Sequence, residues 1–429
     1  MRKLALFFIL LSLVGVAGCG EQSASPTSTL AVTSPPVSTT ASNPTAAPTE
    51  PGNEPPAPVG GAVCVAEPMD LQIVEGIPPV TEQDHVHGSA DASITLIEYA
   101  DFQCPGCAAM ASLRAYLEDI YGDDIQSVYR HFALSFHDKA YVTAEAVEAA
   151  GAQDKFWEMH DLLYERQQEW GRLSGDAALQ DKMIEYAAEL GLDTEQFAQA
   201  LEDHIYQDRV AADTQDAQQA GLPGTPTYII NGVIYPTQQW GLHPVPINAF
   251  ISLLQLEDRM YTAPPPQVLD PEKDYVATIQ TERGDIVIEL YDDLVPVNVN
   301  SFVFLAQEGW YDGVTFHRVI PGFVAQAGDP TGTGVGSPGY RCDDEIVAGL
   351  SYDKVGVVGM ASGGPGTSSI GSQFFITFDA ISQLDGNYTI IGQVVEGLDV
   401  LENLTPRDPS EGVNLPPGDV IETIIIQEQ

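Results

Sequence analysis

The chain is short of positive charge. It carries 17 Lys and Arg against 61 Asp and Glu, a formal net charge of −44, and no Lys or Arg at all from Leu4 to Leu113. So acidic a chain has little with which to neutralise phosphates, which argues against nucleic acid, or an anionic membrane surface, as a partner held by charge. It also has little apolar sequence of membrane-spanning length: the run from Leu4 to Val16 is too short to cross a bilayer comfortably. Cysteine is scarce, with five among 429 residues. A length of 429 with 44% apolar residues nevertheless calls for two or three folded domains with real cores.

What is present begins at the N-terminus. "MRKLALFFILLSLVGVAGCG" has a basic start, an apolar run and small residues, and reads as a secretory signal. Its end, Val16-Ala17-Gly18-Cys19, looks like a bacterial lipobox, in which Cys19 is acylated and becomes the new N-terminus; a plain signal peptide with a chance cysteine is the other reading. Acylation would hold the protein on the outer side of a membrane, in a compartment that permits disulfides. Residues 20–62 are rich in Pro, Ser, Thr and Ala, cannot bury enough surface to fold, and read as a disordered tether.

Two folded blocks follow. In residues 63–261, "ASITLIEYADF" and "QSVYRHFAL" read as strands around a helix from Met110 to Tyr121. A helical stretch runs from Asp138 to Gly221, then "GLPGTPTYIINGVIYP" with a turn at Asn231-Gly232, then a helix from Pro246 to Leu256. That order is α/β with a helical insertion. Residues 262–272, "TAPPPQVLDPE", read as a Pro-rich linker. Residues 273–429 are glycine-dense, with short strands and two helices, near Pro296–Gln307 and Gly397–Asn403, and a last strand "VIETIIIQEQ" placed to close a barrel.

The chemistry of the first block centres on Cys104-Pro105-Gly106-Cys107. A structural zinc site needs four ligands; no second pair follows at usable spacing, and His85 and His87 upstream make a poor substitute, so no metal is expected. A disulfide across two residues closes too small a loop to stabilise a fold. Redox exchange remains. At the N-terminus of a helix Cys104 would ionise readily and attack, with Cys107 as the resolving thiol.

The stretches "EYADFQCPGC", "VYRHFAL", "DKFWEMHDLLYERQ" and "GLPGTPTYIINGVIY" together resemble the DsbA-like thiol oxidoreductases of the thioredoxin superfamily, over about residues 85–258. The resemblance implies a thioredoxin fold with a helical insertion. It places on Glu98 the role of a buried carboxylate that takes the Cys107 proton, and on Thr225-Pro226 that of a cis-proline loop offering the Thr225 backbone to an extended substrate. Pro-Gly stands here in place of the His-containing dipeptide of the strongest oxidants, which implies a less oxidising couple. Oxidase, isomerase and reductase remain open, and no role falls on His131.

In the second block, "YDGVTFHRVIPGFVAQAGDPTGTGVGSPGY", "GVVGMASGGPGTSSIGSQFFIT" and "LDGNYTIIGQVVEGLDVLENL" closely resemble the cyclophilin family of peptidyl-prolyl isomerases, over about residues 275–428. The resemblance implies a mainly-β, cyclophilin-like barrel. Rotation about an X-Pro bond breaks no bond, so it needs an apolar slot and a hydrogen-bond donor rather than a nucleophile, and no cofactor. The family's arginine falls on Arg318, its slot on Phe316, Phe323, Val324, Phe375, Leu384 and Tyr388, and its backbone-binding amides on Gln326 and Gln373. Gln383 replaces a Trp that contacts cyclosporin in animal members. Tyr388 stands where many members have His, and Val324 where Met is usual.

Cys64 and Cys342 are left over. They are candidates for a structural disulfide between the blocks, with two independent thiols as the alternative. The combined expectation is a lipid-anchored extracytoplasmic folding factor that exchanges disulfides and turns X-Pro bonds. Its partners would be unfolded or partly folded secreted proteins, a redox partner protein, and the membrane through Cys19. Two rivals are a tethered peptide-binding chaperone without catalysis and a dedicated reductase that docks through its second block.

Overall fold

The computed structural model describes residues 61–364, 367–411 and 415–429. The signal peptide, Cys19 and residues 20–60 of the tether lie outside the described residues. Among those described, no helix is long and apolar enough to cross a membrane.

The described chain starts with strand β1 (Cys64–Ala66), which belongs to the sheet of the second block. The first block is built on β2 (His85–Gly88), β3 (Ile94–Ala100), β4 (Ile125–His131), β5 (Thr227–Ile230) and β6 (Val233–Ile234), in the order β2-β4-β3-β5-β6. Strands β3 and β4 run parallel and the other pairs are antiparallel. Short helix α1 (Pro105–Ala109) and helix α2 (Leu113–Tyr121) connect β3 to β4. A helical insertion then supplies α3 (Ala140–Gly151), α4 (Phe156–Glu165), α5 (Gln167–Trp170), α6 (Asp176–Glu189), α7 (Thr194–Glu202) and α8 (Gln207–Gln219). Two helices, α9 (Thr237–Trp240) and α10 (Pro244–Leu256), end the block.

Period-two alternation along β3 decides which side chains meet which helices. Ile94 and Leu96 pack with Leu113 and Leu117 of α2 and Phe250 of α10. Ile97 and Tyr99 face the other way, onto Ala217 of α8. Glu98 has the parity of Leu96, so the strand aims a carboxylate at the side on which the cysteine helix lies.

The helix expected from Met110 to Tyr121 begins at Leu113. Met110 and Leu113 close i→i−3 backbone bonds to Cys107 and Met110, and this tight turn separates α1 from α2. Met110 is 2% exposed, and its burial anchors the turn without any Gly or Pro to announce it.

The second block is a curled antiparallel sheet. Its strands are β7 (Tyr275–Thr281), β8 (Gly284–Leu290), β9 (Arg318–Val319), β10 (Val324–Ala327), β11 (Tyr340–Cys342), β12 (Val357–Ser362), β13 (Ser369–Thr377), β14 (Ile390–Glu396) and β15 (Ile421–Glu428). Two helices, α11 (Pro296–Gln307) and α12 (Leu398–Glu402), accompany them. The main order is β1-β11-β13-β12-β14-β8-β7-β15, with β10 on β13 and β9 on β10. Among the described residues, strand β15 ladders only with β7. Beyond it the curl is stitched by single bridges, Thr315 to Val420 and Val319 to Arg407, so the last strand does not complete a barrel by a full ladder. Phe302 and Leu305 of α11 lie in the core with Ile279, Ile288 and Phe374.

Cys64 and Cys342 sit directly opposite in the β1–β11 pair and form a disulfide. The Pro-rich stretch 262–272 is docked rather than free. The buried Asn300 side chain accepts from the Val268 and Leu269 amides at 2.7 and 3.3 Å and donates to the Pro266 carbonyl at 2.9 Å. Leu256, at the end of α10, joins the core of the second block.

Candidate functional sites

The first site lies where β3 passes into α1. Cys104 caps α1 and is 8% exposed; Cys107, one turn in, is fully buried. Both are free thiols. The Cys104 thiol is held down to about 5, first by the hydrogen bond from the Cys107 S–H, against burial, with help from Thr225 and the amides of Cys107 and Gly106. A five-residue helix supplies little macrodipole, so the local donors carry the effect that the sequence ascribed to a helix end. Burial pushes the Cys107 thiol well above its ordinary range, and the nearby Cys104 and Glu98 charges add to that.

The Thr225-Pro226 bond is cis, and the Thr225 carbonyl oxygen lies 3.3 Å from Cys104 Sγ. A carbonyl can only accept, so this contact belongs to the thiol form. The buried Thr225 Oγ1 has no other partner among the described residues and is free to face the thiolate. Gly106 makes the approach close: a Cβ there would lie 3.2 Å from Pro226 Cδ and 3.6 Å from Cys104 Sγ. Beside this loop runs a groove of about 1130 Å³ walled by Gln72, Thr225, Pro226, Tyr235 and Gln238.

Glu98 accepts from the Tyr228 hydroxyl at 3.1 Å. Burial pushes its carboxyl from the ordinary 4.5 to about 7, against that bond and with the aid of the Cys104 charge. The side chain is half-buried, because it is hemmed in by neighbours yet opens on a small internal cavity. A raised carboxyl stabilises the fold fully below pH 4.5 and loses that contribution as pH climbs through about 7. The loss is roughly 3 kcal/mol. Glu98→Gln is therefore expected to leave the melting temperature of the reduced protein unchanged at pH 4 and to raise it by ~5 °C at pH 8, as read by thermal melts. A drop at pH 8 would mean that the carboxylate is held ionised instead.

His131, given no role from sequence, is buried in β4 with its Nε2 2.9 Å from Glu148 Oε1.

The second site is a row of residues across four strands. Arg318 of β9 pairs with Gln326 of β10, Gln326 with Phe375 of β13, and Phe375 with Gly359 of β12. Registered residues on one face are neighbours, so the register alone sets guanidinium, amide and ring side by side. Gly359 makes room for the ring: a Cβ there would lie 2.7 Å from Phe375 Cζ and 2.2 Å from the Tyr352 hydroxyl. Around the row opens a cleft of about 450 Å³ lined by Arg318, Phe323, Val324, Gln326, Ala361, Ser362, Phe375, Leu384 and Tyr388.

A chain of amides orients the donor. Gln373 donates to the Gly334 and Gly336 carbonyls, both at 3.0 Å, which leaves its oxygen to accept from Gln326 Nε2 at 2.9 Å. Gln326 then presents its own oxygen to Arg318 Nη1 at 3.4 Å. The guanidinium lies 5.4 Å from the Phe323 ring centre, and among the described residues its side-chain hydrogen bond is the one to Gln326.

Two assigned residues fall elsewhere. Phe316 is fully buried and packs in the sheet core, so it is no wall of the cleft. Gln373 is fully buried behind Gln326 and acts through it rather than by touching a substrate. Sequence reasoning missed Ala361 and Ser362, whose signal was their place in "GMASGG" ahead of "SQFFIT".

Residues 276–425 match the model of the family "Cyclophilin type peptidyl-prolyl cis-trans isomerase/CLD". The chain is 50% identical over 129 residues to peptidyl-prolyl cis-trans isomerase ppi1 of Schizosaccharomyces pombe, a match covering 29% of this chain and 82% of that protein. This chain belongs to the cyclophilin type peptidyl-prolyl cis-trans isomerases. The cyclophilin domain is also 45% identical over 139 residues to a Helicobacter pylori peptidyl-prolyl cis-trans isomerase, covering 32% of this chain and 84% of the relative. Residues 80–242, ahead of the cyclophilin domain, match the family model "Thioredoxin". Among solved structures, a Cryptosporidium parvum cyclophilin type isomerase shares 37% identity, covering 36% of this chain and 98% of that one, with a TM-score of 0.32. Oxidised BdbD from Bacillus subtilis shares 22% identity, covering 42% of this chain and 96% of that one, with a TM-score of 0.37.

Proposed function

We propose that the chain is an extracytoplasmic folding factor in which the cyclophilin domain turns X-Pro bonds and the thioredoxin-type domain exchanges thiols and disulfides on the same unfolded secreted clients. The single observation that carries the redox half is the geometry of a barely exposed Cys104 set against a fully buried Cys107 and the Thr225-Pro226 loop, an arrangement that lowers the Cys104 thiol. A thiolate at neutral pH attacks a client disulfide; a buried neighbour then resolves the mixed disulfide. The Arg318 row supports the isomerase half, because it offers a donor over an apolar cleft. The Cys64–Cys342 bond and the signal-like N-terminus both favour a compartment outside the cytoplasm, with Cys19 as a lipid anchor. Disulfide exchange and proline isomerisation are two slow steps of folding a secreted chain, and one tether holds both sites near one client.

The test is refolding of a reduced, unfolded secreted protein that has a native disulfide and a cis proline. The full chain should speed both phases. Cys104→Ser should lose the disulfide phase and Arg318→Ala the proline phase. Equal acceleration by both variants would instead identify a chaperone without catalysis.

A further inference from the structure

The cavity on which Glu98 opens has a second polar wall. It lies between β3, β4, the α1–α2 turn and α4, and it is lined by Glu98, Tyr129, Arg114, Trp157 and His160 among others. His160 is 3% exposed, caged by Phe102, Tyr129, Trp157 and Tyr164. Its Nδ1 is 2.8 Å from Asp161 Oδ1, and its Nε2 is buried with no partner among the described residues.

The two ring nitrogens therefore differ. Arg114 Nη2 donates to Asp161 at 3.1 Å, and Asp161 is held below the usual carboxylate range despite burial, by His160 and Arg114, so it only accepts. The Nδ1 must then carry the proton, and Nε2 is a bare acceptor. Burial lowers the His160 pKa, and Arg114 and His131 add to that while Asp161 opposes it. Nothing else in the first site uses this lone pair. Asp161 itself is about half exposed.

We propose that His160 is the proton exit of the thioredoxin-type domain, a positioning residue that passes protons between the Glu98 cavity and Asp161 at the surface. The inference rests on the thiol–disulfide reading above. When Cys107 resolves a mixed disulfide, its S–H proton goes to the Glu98 carboxylate and its sulfur bonds to Cys104 Sγ. The Cys104–client S–S bond breaks with its electron pair on the client sulfur. Glu98 then returns to its carboxylate by giving the proton, through cavity water, to His160 Nε2, and the imidazolium releases its Nδ1 proton to Asp161 and the solvent. The reverse path recharges Glu98 when Cys107 is the leaving group.

Ellman's reagent on the full chain, with the Cys104–Cys107 pair reduced, separates the steps. Attack by Cys104 releases one thionitrobenzoate, and attack by Cys107 on the resulting mixed disulfide releases the second. In His160→Gln the first release should keep its rate and the second should slow ~10-fold at neutral pH, the scale of one proton-transfer partner. The second release should also become proportional to hydroxide, where the parent chain shows a plateau. Asp161→Asn, at a partly exposed position, should slow the second release alone, which keeps the test alive if His160→Gln folds poorly. A second release at the parent rate and with the parent pH profile in a folded variant would overturn the relay, as would a parallel loss of both releases with lowered melting temperature in both variants. A parent chain with no fast first release would overturn the redox reading itself.

Discussion

Arg318→Ala is expected to lower isomerase kcat/KM by roughly 10²–10³-fold, the cost of losing one pre-aimed donor at a transition state. The uncatalysed barrier of ~20 kcal/mol is the loss of amide resonance on twisting the C–N bond. In the twisted state the proline nitrogen gains a lone pair that the planar amide lacks, so a donor aimed at it acts on the transition state more than on the ground state. Arg318 can be that donor because, among the described residues, Gln326 takes one of its N–H groups, at 3.4 Å, and Gln373 fixes Gln326 from behind. Arg318→Lys should recover only part of the rate, since an ammonium lacks the planar fork that stacks on Phe323 and meets Gln326 together. The measurement is cis–trans exchange of an Xaa-Pro peptide followed by NMR. Cys104 reactivity in the same variant serves as the control and should not move. An alanine variant within threefold of the parent would place catalysis on some other group.

Much of this arrangement was legible in the sequence. Arg318 stood out because only Lys273, Arg283, Arg318, Arg341, Lys354 and Arg407 are basic from residue 273 onward, and it alone follows "TFH" before an apolar run. Glu98 was marked by the resemblance to the DsbA-like oxidoreductases, six residues ahead of Cys104, and the structure adds that it shares the strand face of Leu96. The bounds of α11, Pro296–Gln307, followed from a proline at its first turn and an apolar stripe behind it.

What escaped was set by partners distant in sequence. Phe316 and Arg318 share a motif, but the Phe316 ring lies in the core and the Arg318 side chain lines the cleft. The 262–272 stretch looked like a spacer because prolines resist helix and ladder alike. Its docking depends on Asn300, a polar residue in the middle of a helix that offered no local hint. Gln373 was placed at the substrate because a motif cannot say which glutamine stands in front of the other. The "MHD" of α4 was visible as letters only; that His160 faces the Glu98 cavity depends on a helix more than fifty residues away along the chain from β3.

The second large effect concerns Cys104. Its rate of alkylation by iodoacetamide should rise with pH through a midpoint of about 5 and then stay flat across neutral pH, where an ordinary thiol with a midpoint near 9 has barely begun to react. The stabilisation of the thiolate is complete above pH 9 and is lost as pH falls through about 5. Only the reduced form holds that charge, so at pH 7 it favours the reduced form by about 2–3 kcal/mol, or roughly 60 mV toward a more oxidising couple. The midpoint potential should accordingly fall by about 30 mV per pH unit above pH 5, where two electrons travel with one proton, and by about 59 mV per unit below it, where they travel with two. Cys107 does not disturb this slope near neutrality because burial keeps it protonated, and Glu98, raised to about 7 partly by the Cys104 charge, steepens it only close to pH 7. Thr225→Val, which removes a buried hydroxyl beside the sulfur and keeps its shape, should move the break upward in pH and lower the potential together. A single slope of 59 mV from pH 4 to 8, with sluggish alkylation at pH 7, would mean that Cys104 is an ordinary thiol, and the redox chemistry assigned to this domain would go with it.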